Sequence, residues 1–146
     1  MKIHEDIKYI GVDDLDLDLF ESQYIIPNGI SYNSYLILDE KVAVMDTVDS
    51  RKFRTWRSNL HSELEGRTPD YLIVHHMEPD HVGDIVELMD DYPEMKIVAS
   101  ARAVQMMPQF FEGVDFTPRT IAVKEGDTLS LGAHTLHFMM APMVHW

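Results

Sequence analysis

Apolar and polar positions alternate in short blocks along the 146 residues. Ile7 to Val12 reads as a first strand, and Asp13 to Asp18, acidic and leucine-spaced, as a loop. Tyr32 to Leu38 and Lys41 to Asp46 are β-branched-rich runs split by Asp39-Glu40, the pattern of a hairpin. Asp49 or Ser50 can cap a helix running to about Leu64, and Gly66 can end it. Within that helix Phe53, Trp56, Leu60 and Leu64 step by three and four, which gives one buried stripe. Tyr71 to Val74 predicts a buried strand ending near His75, followed by a helix over Val82 to Asp91 that closes before Pro93. Lys96 to Ser100 reads as a strand, and Ala101 to about Phe111 as a helix that Pro108 should kink or stop. Thr120 to Lys124, Thr128 to Leu131 and His134 to Met140 read as strands, with Gly132-Ala133 turning the last hairpin. Strand–helix alternation with hairpins at both ends predicts a layered α/β domain with a mixed sheet.

Composition narrows the function. Apolar residues make up 45% of the chain, enough for a packed core. A formal net charge of −13 disfavours nucleic acid, whose phosphates select basic surfaces, and anionic membranes. The chain has no cysteine, so disulfides, thiolate zinc sites, cysteine-ligated iron–sulfur clusters and cysteine nucleophiles are excluded. Met1-Lys2-Ile3-His4-Glu5-Asp6 carries no apolar signal region and no run reaches transmembrane length, so a cytoplasmic protein is expected. The ten methionines, Met106-Met107 and Met139-Met140 among them, read as core filler rather than as ligands of a copper site.

Candidate chemistry concentrates in His76-Met77-Glu78-Pro79-Asp80-His81, directly after the apolar Tyr71 to Val74 run. His76 and Glu78 are two apart and point the same way in extended chain. Pro79 then bends the chain, and Asp80 and His81 open a helix, so one short loop can present ligands at two adjacent points. Mixed imidazole and carboxylate donors suit iron, manganese or zinc, and the set is oxygen-rich for a structural zinc site. Taken singly, each residue has a plainer role. Asp80 would be an N-cap, Glu78 a solvated carboxylate, His81 a surface residue in a first helical turn, and His76 a half-buried histidine with a satisfied ring. Together the four point to a metal site. His75 faces away from His76 by alternation and reads as a neighbour that supports the ligands. His145, after the last strand, occupies a strand exit like that of His76, and neighbouring strand exits converge at one sheet edge. On the same reasoning His134 and His137 are surface or packing residues, and His4 and His61 have no support as ligands.

The pattern His76-x-Glu78-x-Asp80-His81 resembles the iron-binding signature of the flavodiiron proteins, or A-type flavoproteins. The resemblance extends through Asp18 to Glu21, Gly29 to Leu36, Val44 to Asp49, Lys124 to Gly132 and Ala141 to Trp146. Related zinc hydrolases of the metallo-β-lactamase superfamily typically carry a histidine where Glu78 stands. The resemblance implies an α/β metallo-β-lactamase-like αββα sandwich, of which residues 1–146 are the N-terminal portion. It implies that His76, Glu78 and His145 hold one iron of a non-haem diiron pair, while Asp80 and His81 contribute to the second. Two further ligands, an aspartate and a histidine, and a flavodoxin-like FMN domain are implied beyond these residues. The implied reaction is reduction of dioxygen to water or of nitric oxide to nitrous oxide. A rubredoxin-like electron donor and a homodimeric or homotetrameric full-length form go with it. Two other readings compete: a zinc-dependent hydrolase on the same fold, and an inert or partner-binding half-domain.

Overall fold

A computed structural model of the chain describes residues 3–20 and 23–142. The strands are β1 (Ile7–Tyr9), β2 (Val12–Asp14), β3 (Leu19–Phe20), β4 (Tyr24–Ile25), β5 (Ile30–Tyr32), β6 (Tyr35–Leu38), β7 (Val42–Met45), β8 (Tyr71–Ile73), β9 (Lys96–Ser100), β10 (Thr120–Val123), β11 (Thr128–Ser130) and β12 (Thr135–His137). The helices are α1 (Phe53–Leu64), α2 (Pro79–Val82), α3 (Ile85–Asp91) and α4 (Ala101–Phe110).

A six-stranded mixed sheet runs β1-β6-β7-β8-β9-β10. β1, β6 and β7 pair antiparallel, while β7, β8, β9 and β10 are parallel. Parallel neighbours need crossovers, and the helices supply them: α1 after β7, α2 and α3 after β8, α4 after β9. Alternation divides the strand residues between two faces. Leu36, Val42, Val44, Leu72, Ile97 and Ala99 join Trp56, Leu60 and Leu64 of α1, Ile85 and Leu88 of α3, and Met107 of α4 in the larger core. Each fully buried aliphatic side chain there is worth about 1.5–3 kcal/mol of apolar transfer. The opposite face, Ile37, Ala43, Ile73 and Val98, packs under Leu129, Leu131, Leu136 and Phe138 of the β11–β12 hairpin. The layers are therefore helices, main sheet and a second β layer, in the order expected of the αββα sandwich.

Several boundaries differ from the periodicity. The first strand breaks at Ile10-Gly11, because β1 pairs with β6 while β2 pairs with β5. A Cβ on Gly11 would lie 2.4 Å from the Tyr32 carbonyl oxygen, so only glycine lets the two segments pass. Asp13 and Asp14 are strand, not loop, since the buried Asp14 carboxylate accepts from the Tyr32 hydroxyl at 3.0 Å. The predicted Tyr32 to Leu38 strand divides between β5 and β6. A 3-10 turn, Ser50–Lys52, precedes α1, and the Asp49 carboxylate caps it by accepting from Arg51 N. The helix predicted over Val82 to Asp91 is two, α2 and α3, with Gly83 between them. A Cβ at Gly83 would meet Val48 O and Ser50 N at 2.6 Å each. Pro108 neither stops nor divides α4, which closes on Phe111 N donating to Met107 O at 3.1 Å. β12 is only three residues, which leaves His134 in the hairpin turn.

Candidate metal centre

β7 and β8 are parallel neighbours, so the loops leaving them open on the same edge of the sheet. Asp46 follows β7; His75 and His76 follow β8. Asp46 N donates to Ile73 O at 2.8 Å, continuing the ladder one residue beyond the strands. The Asp46 carboxylate then turns onto the β8 exit. His75 N donates to its Oδ1 at 2.8 Å, and Oδ2 lies 3.0 Å from His75 Nδ1 and 2.7 Å from His81 Nδ1. Asp46 has φ +58°, a left-handed conformation few residues but aspartate, asparagine and glycine adopt readily. Ser34 Oγ donates to the Asp46 carbonyl at 2.8 Å, and the buried Trp56 indole N–H donates to Ser34 Oγ at 3.0 Å. A helix residue thus steadies the strand exit through one hydroxyl.

The following turn is fastened in the same way. Thr47 N and Thr47 Oγ1 both donate to His81 O at 2.8 Å, and Asp84 N donates to Thr47 Oγ1 at 3.3 Å. α2 starts with Pro79 in its first turn, and its cap residue is Glu78. Asp80 is consequently inside the helix and is not the N-cap, so its carboxylate is left for other work.

The four described loop residues come together in pairs. His76 Nδ1 is 3.8 Å from Glu78 Oε2, and His81 Nε2 is 3.4 Å from Asp80 Oδ2. The His76 and His81 rings sit 3.9 Å apart between centroids, tilted by 50°. All four side chains are partly buried. Asp80 Oδ1 is buried and has no hydrogen-bond partner among the described residues. A buried carboxylate oxygen in that condition fits a cation, since it would otherwise lose its hydration uncompensated. The donor set of two imidazoles and two carboxylates fits iron equally well. His145, the fifth expected ligand, lies outside the described residues.

Electrostatics separates the histidines. Burial holds the His76 ring below its ordinary pKa, with the neighbouring His81 charge acting in the same direction, so it stays neutral and able to coordinate. Burial works against the charged form of His81 too, but the Asp46 carboxylate outweighs it and the net shift is upward. The hydrogen bond to Asp46 likewise raises His75. Burial opposes ionisation of Asp46, yet its bonds to His75 and His81 leave its carboxyl below the usual value. His75 is exposed and bonded to Asp46, the carboxylate that also holds His81. Asp46, Ser34 and Trp56 were not visible as site residues in the sequence. The available signal was Asp46's place at a strand exit, the criterion applied to His76 and His145.

Asp84 sits behind the turn, 1% exposed, with its carboxyl pushed up to about 7 by burial and then by Glu87. In the unfolded chain it ionises near its ordinary 3.8. The metal-free protein should therefore lose stability as pH rises from about 4 to about 7, where the unfolded state has given up this proton and the folded state has not. Above about 7 the penalty is constant. Asp84→Asn should remove that slope and add up to about 4 kcal/mol at pH 8. Urea unfolding at pH 4, 6 and 8 measures it; parallel curves for the two proteins would refute the assignment.

A profile described as "ODP family beta lactamase" matches residues 30–146. The chain belongs to that family. It is 36% identical over 146 residues to the anaerobic nitric oxide reductase flavorubredoxin of Salmonella arizonae, an alignment covering 99% of this chain and 30% of that protein. A flavorubredoxin homolog from Escherichia coli O157:H7 is 34% identical and is covered to 35%. Among solved structures, rubredoxin oxygen:oxidoreductase from Desulfovibrio gigas superposes with a TM-score of 0.92 at 32% identity, covering 100% of this chain and 36% of that one. A flavo di-iron protein mutant from Thermotoga maritima gives 0.85 at 26% identity, with 96% and 34% covered. The chain thus spans about a third of the length of the relatives it matches, and what it matches in them is the metallo-β-lactamase-like part of flavodiiron proteins. The fold and family expected from the motif both hold.

Proposed function

We propose that this chain provides metal ligands for a flavodiiron oxidoreductase that reduces dioxygen to water or nitric oxide to nitrous oxide. The observation that carries the reading is the loop from His76 to His81, with Asp80 Oδ1 buried and without a hydrogen-bond partner among the described residues. His76, Glu78 and His145 would hold one iron; Asp80 and His81 would contribute to the second. Bound iron would supply electrons and Lewis acidity. The chain's own residues supply the rest. Glu78 and Asp80 offset the cation charge, His76 offers a neutral ring nitrogen, and Asp46 fixes the orientation of His81. A cleft lined by Leu17, Leu19, Phe20, Asp49, Arg51 and Pro79 opens beside Asp80 and would give a small molecule access to that carboxylate.

Dioxygen takes four electrons and four protons to two waters. Two nitric oxides take two of each to nitrous oxide and one water. A flavin and an external donor fit that demand, and in this reading they are FMN on a flavodoxin-like domain and a rubredoxin-like protein. The same reading places residues 1–146 as a partial diiron domain whose remaining ligands and flavin lie in further sequence, within a homodimer or homotetramer. A cytoplasmic setting fits the acidic, cysteine-free composition, and among the described residues no helix is long and apolar enough to cross a membrane.

Anaerobic calorimetric titration with ferrous iron tests the proposal. The parent chain should bind one equivalent well, His76→Ala should lose it, and the chain alone should show little reductase activity. Absence of ferrous binding, or zinc-dependent esterase or lactamase activity that His76→Ala abolishes, would overturn it in favour of an inert or hydrolytic protein.

A further inference from the structure

Away from the loop just described, two segments distant in sequence bring metal-ligating side chains to one point. His4, Asp6 and His134 each offer a ligand atom, and these atoms all lie within 4.8 Å of one another. Asp6 belongs to the N-terminal turn, where Ile3 N and His4 N donate to Ile7 O at 3.0 and 3.1 Å. His134 belongs to the β11–β12 turn, and its Nε2 stands 3.6 Å from Asp6 Oδ2. His4 is exposed, while the other two are half-buried.

The arrangement around His134 is built rather than incidental. Its Nδ1 lies 2.7 Å from Asp39 Oδ2, and its backbone N donates to the same oxygen at 2.6 Å. Asp39 Oδ1 accepts from Glu40 N at 2.7 Å and Ala133 N at 3.2 Å. These donors, the His134 backbone first, keep the Asp39 carboxyl well below the usual carboxylate range, so it is ionised at neutral pH. Gly132, at φ +120°, lets the hairpin turn approach, for a Cβ there would fall 2.6 Å from Asp39 Oδ1. Leu38 N donates to Asp6 O at 2.8 Å and Lys41 N to Leu131 O at 2.9 Å, which ties the N-terminal turn and the last hairpin to the β6–β7 turn. A carboxylate on one imidazole nitrogen fixes the tautomer that leaves the other nitrogen as a ligand, the arrangement found behind metal-bound histidines.

We propose that His4, Asp6 and His134, with Asp39 holding the His134 ring, form a second metal site that takes a divalent ion of the zinc class. Two imidazoles and one carboxylate are borderline donors suited to zinc, cobalt or nickel. Three protein ligands leave a tetrahedral ion one position for water. The site lies at the β6–β7 turn, the opposite end of β7 from Asp46, so it is separate from the iron-binding loop. Its ion would clip the N-terminal turn to the last hairpin and stabilise the fold by binding the native state only.

Zinc titration of the 146-residue chain against a chromophoric chelator tests this, with thermal unfolding alongside. His76→Ala should keep a zinc equivalent and a zinc-dependent rise in Tm. In the His76→Ala background, His4→Ala, at an exposed side chain, should lose both, weakening that equivalent by about 100-fold or more. Asp39→Asn should weaken it by about 10–100-fold. Unchanged zinc stoichiometry and affinity in His4→Ala on that background would overturn the proposal and leave Asp6 and His134 as an ion pair. Loss of every zinc equivalent in His76→Ala would overturn it as well.

Discussion

Asp46→Asn is expected to weaken ferrous iron binding by about 10–100-fold without removing any proposed ligand. The carboxylate spans the exits of two parallel strands and touches His75 and His81 through one oxygen, at 3.0 and 2.7 Å. Asparagine preserves the shape and the acceptor for His75 N, so the fold should survive. It removes the charge that raises the two histidines, and their titration should move down toward or below the ordinary histidine value. Calorimetric iron titration gives the affinity, and proton NMR of the imidazole C–H signals gives the titration. Parent-like affinity together with lowered histidine titration would show that Asp46 tunes charge and does not position a ligand. Parent-like values in both would leave it a purely structural residue.

Trp56→Ala should cost about 3–5 kcal/mol of stability, the largest effect expected of a single side chain here. Trp56 is 0% exposed and fills the space between α1 and the sheet. Trp56→Phe keeps most of that volume and loses the indole donor to Ser34 Oγ, so about 1 kcal/mol is expected. Ser34 in turn donates to the Asp46 carbonyl, and the phenylalanine variant should therefore also lower iron affinity, by less than Asp46→Asn does. Chemical denaturation and the same iron titration separate the two effects. A phenylalanine variant with reduced stability and unchanged iron binding would show that the hydrogen-bonded chain from helix to strand exit is not felt at the site.

Much of this molecule is legible in its sequence, for identifiable reasons. The β6–β7 hairpin, α1, β8, β9 and α4 have strong local periodicity and are found near their predicted places. The errors fall where a distant contact decides. Ile10-Gly11 breaks a strand because its two halves find different partners, β6 and β5. Gly83 divides a helix because the Val48 to Ser50 backbone presses against it. At the candidate site, the ligand types and their spacing are local, so His76, Glu78, Asp80 and His81 were readable as a group. Asp46 is about thirty residues away in sequence, and only the parallel pairing of β7 with β8 brings it near. His134 and His4 illustrate the same limit. One read as surface or packing and the other as unsupported, yet the fold delivers both to Asp6 and fixes His134 by Asp39 across a separation of 95 residues.

The left-handed backbone at position 46 sets two demands against each other. A glycine there would relax the main chain by roughly 1 kcal/mol and would abolish the only group that reaches both His75 and His81 among the described residues. Glycine would also leave the His75 backbone N–H and the His81 ring without the carboxylate they share, so the bonds made at this residue offset the strain it carries. The twist in the chain there persists because the contacts around it over-determine it.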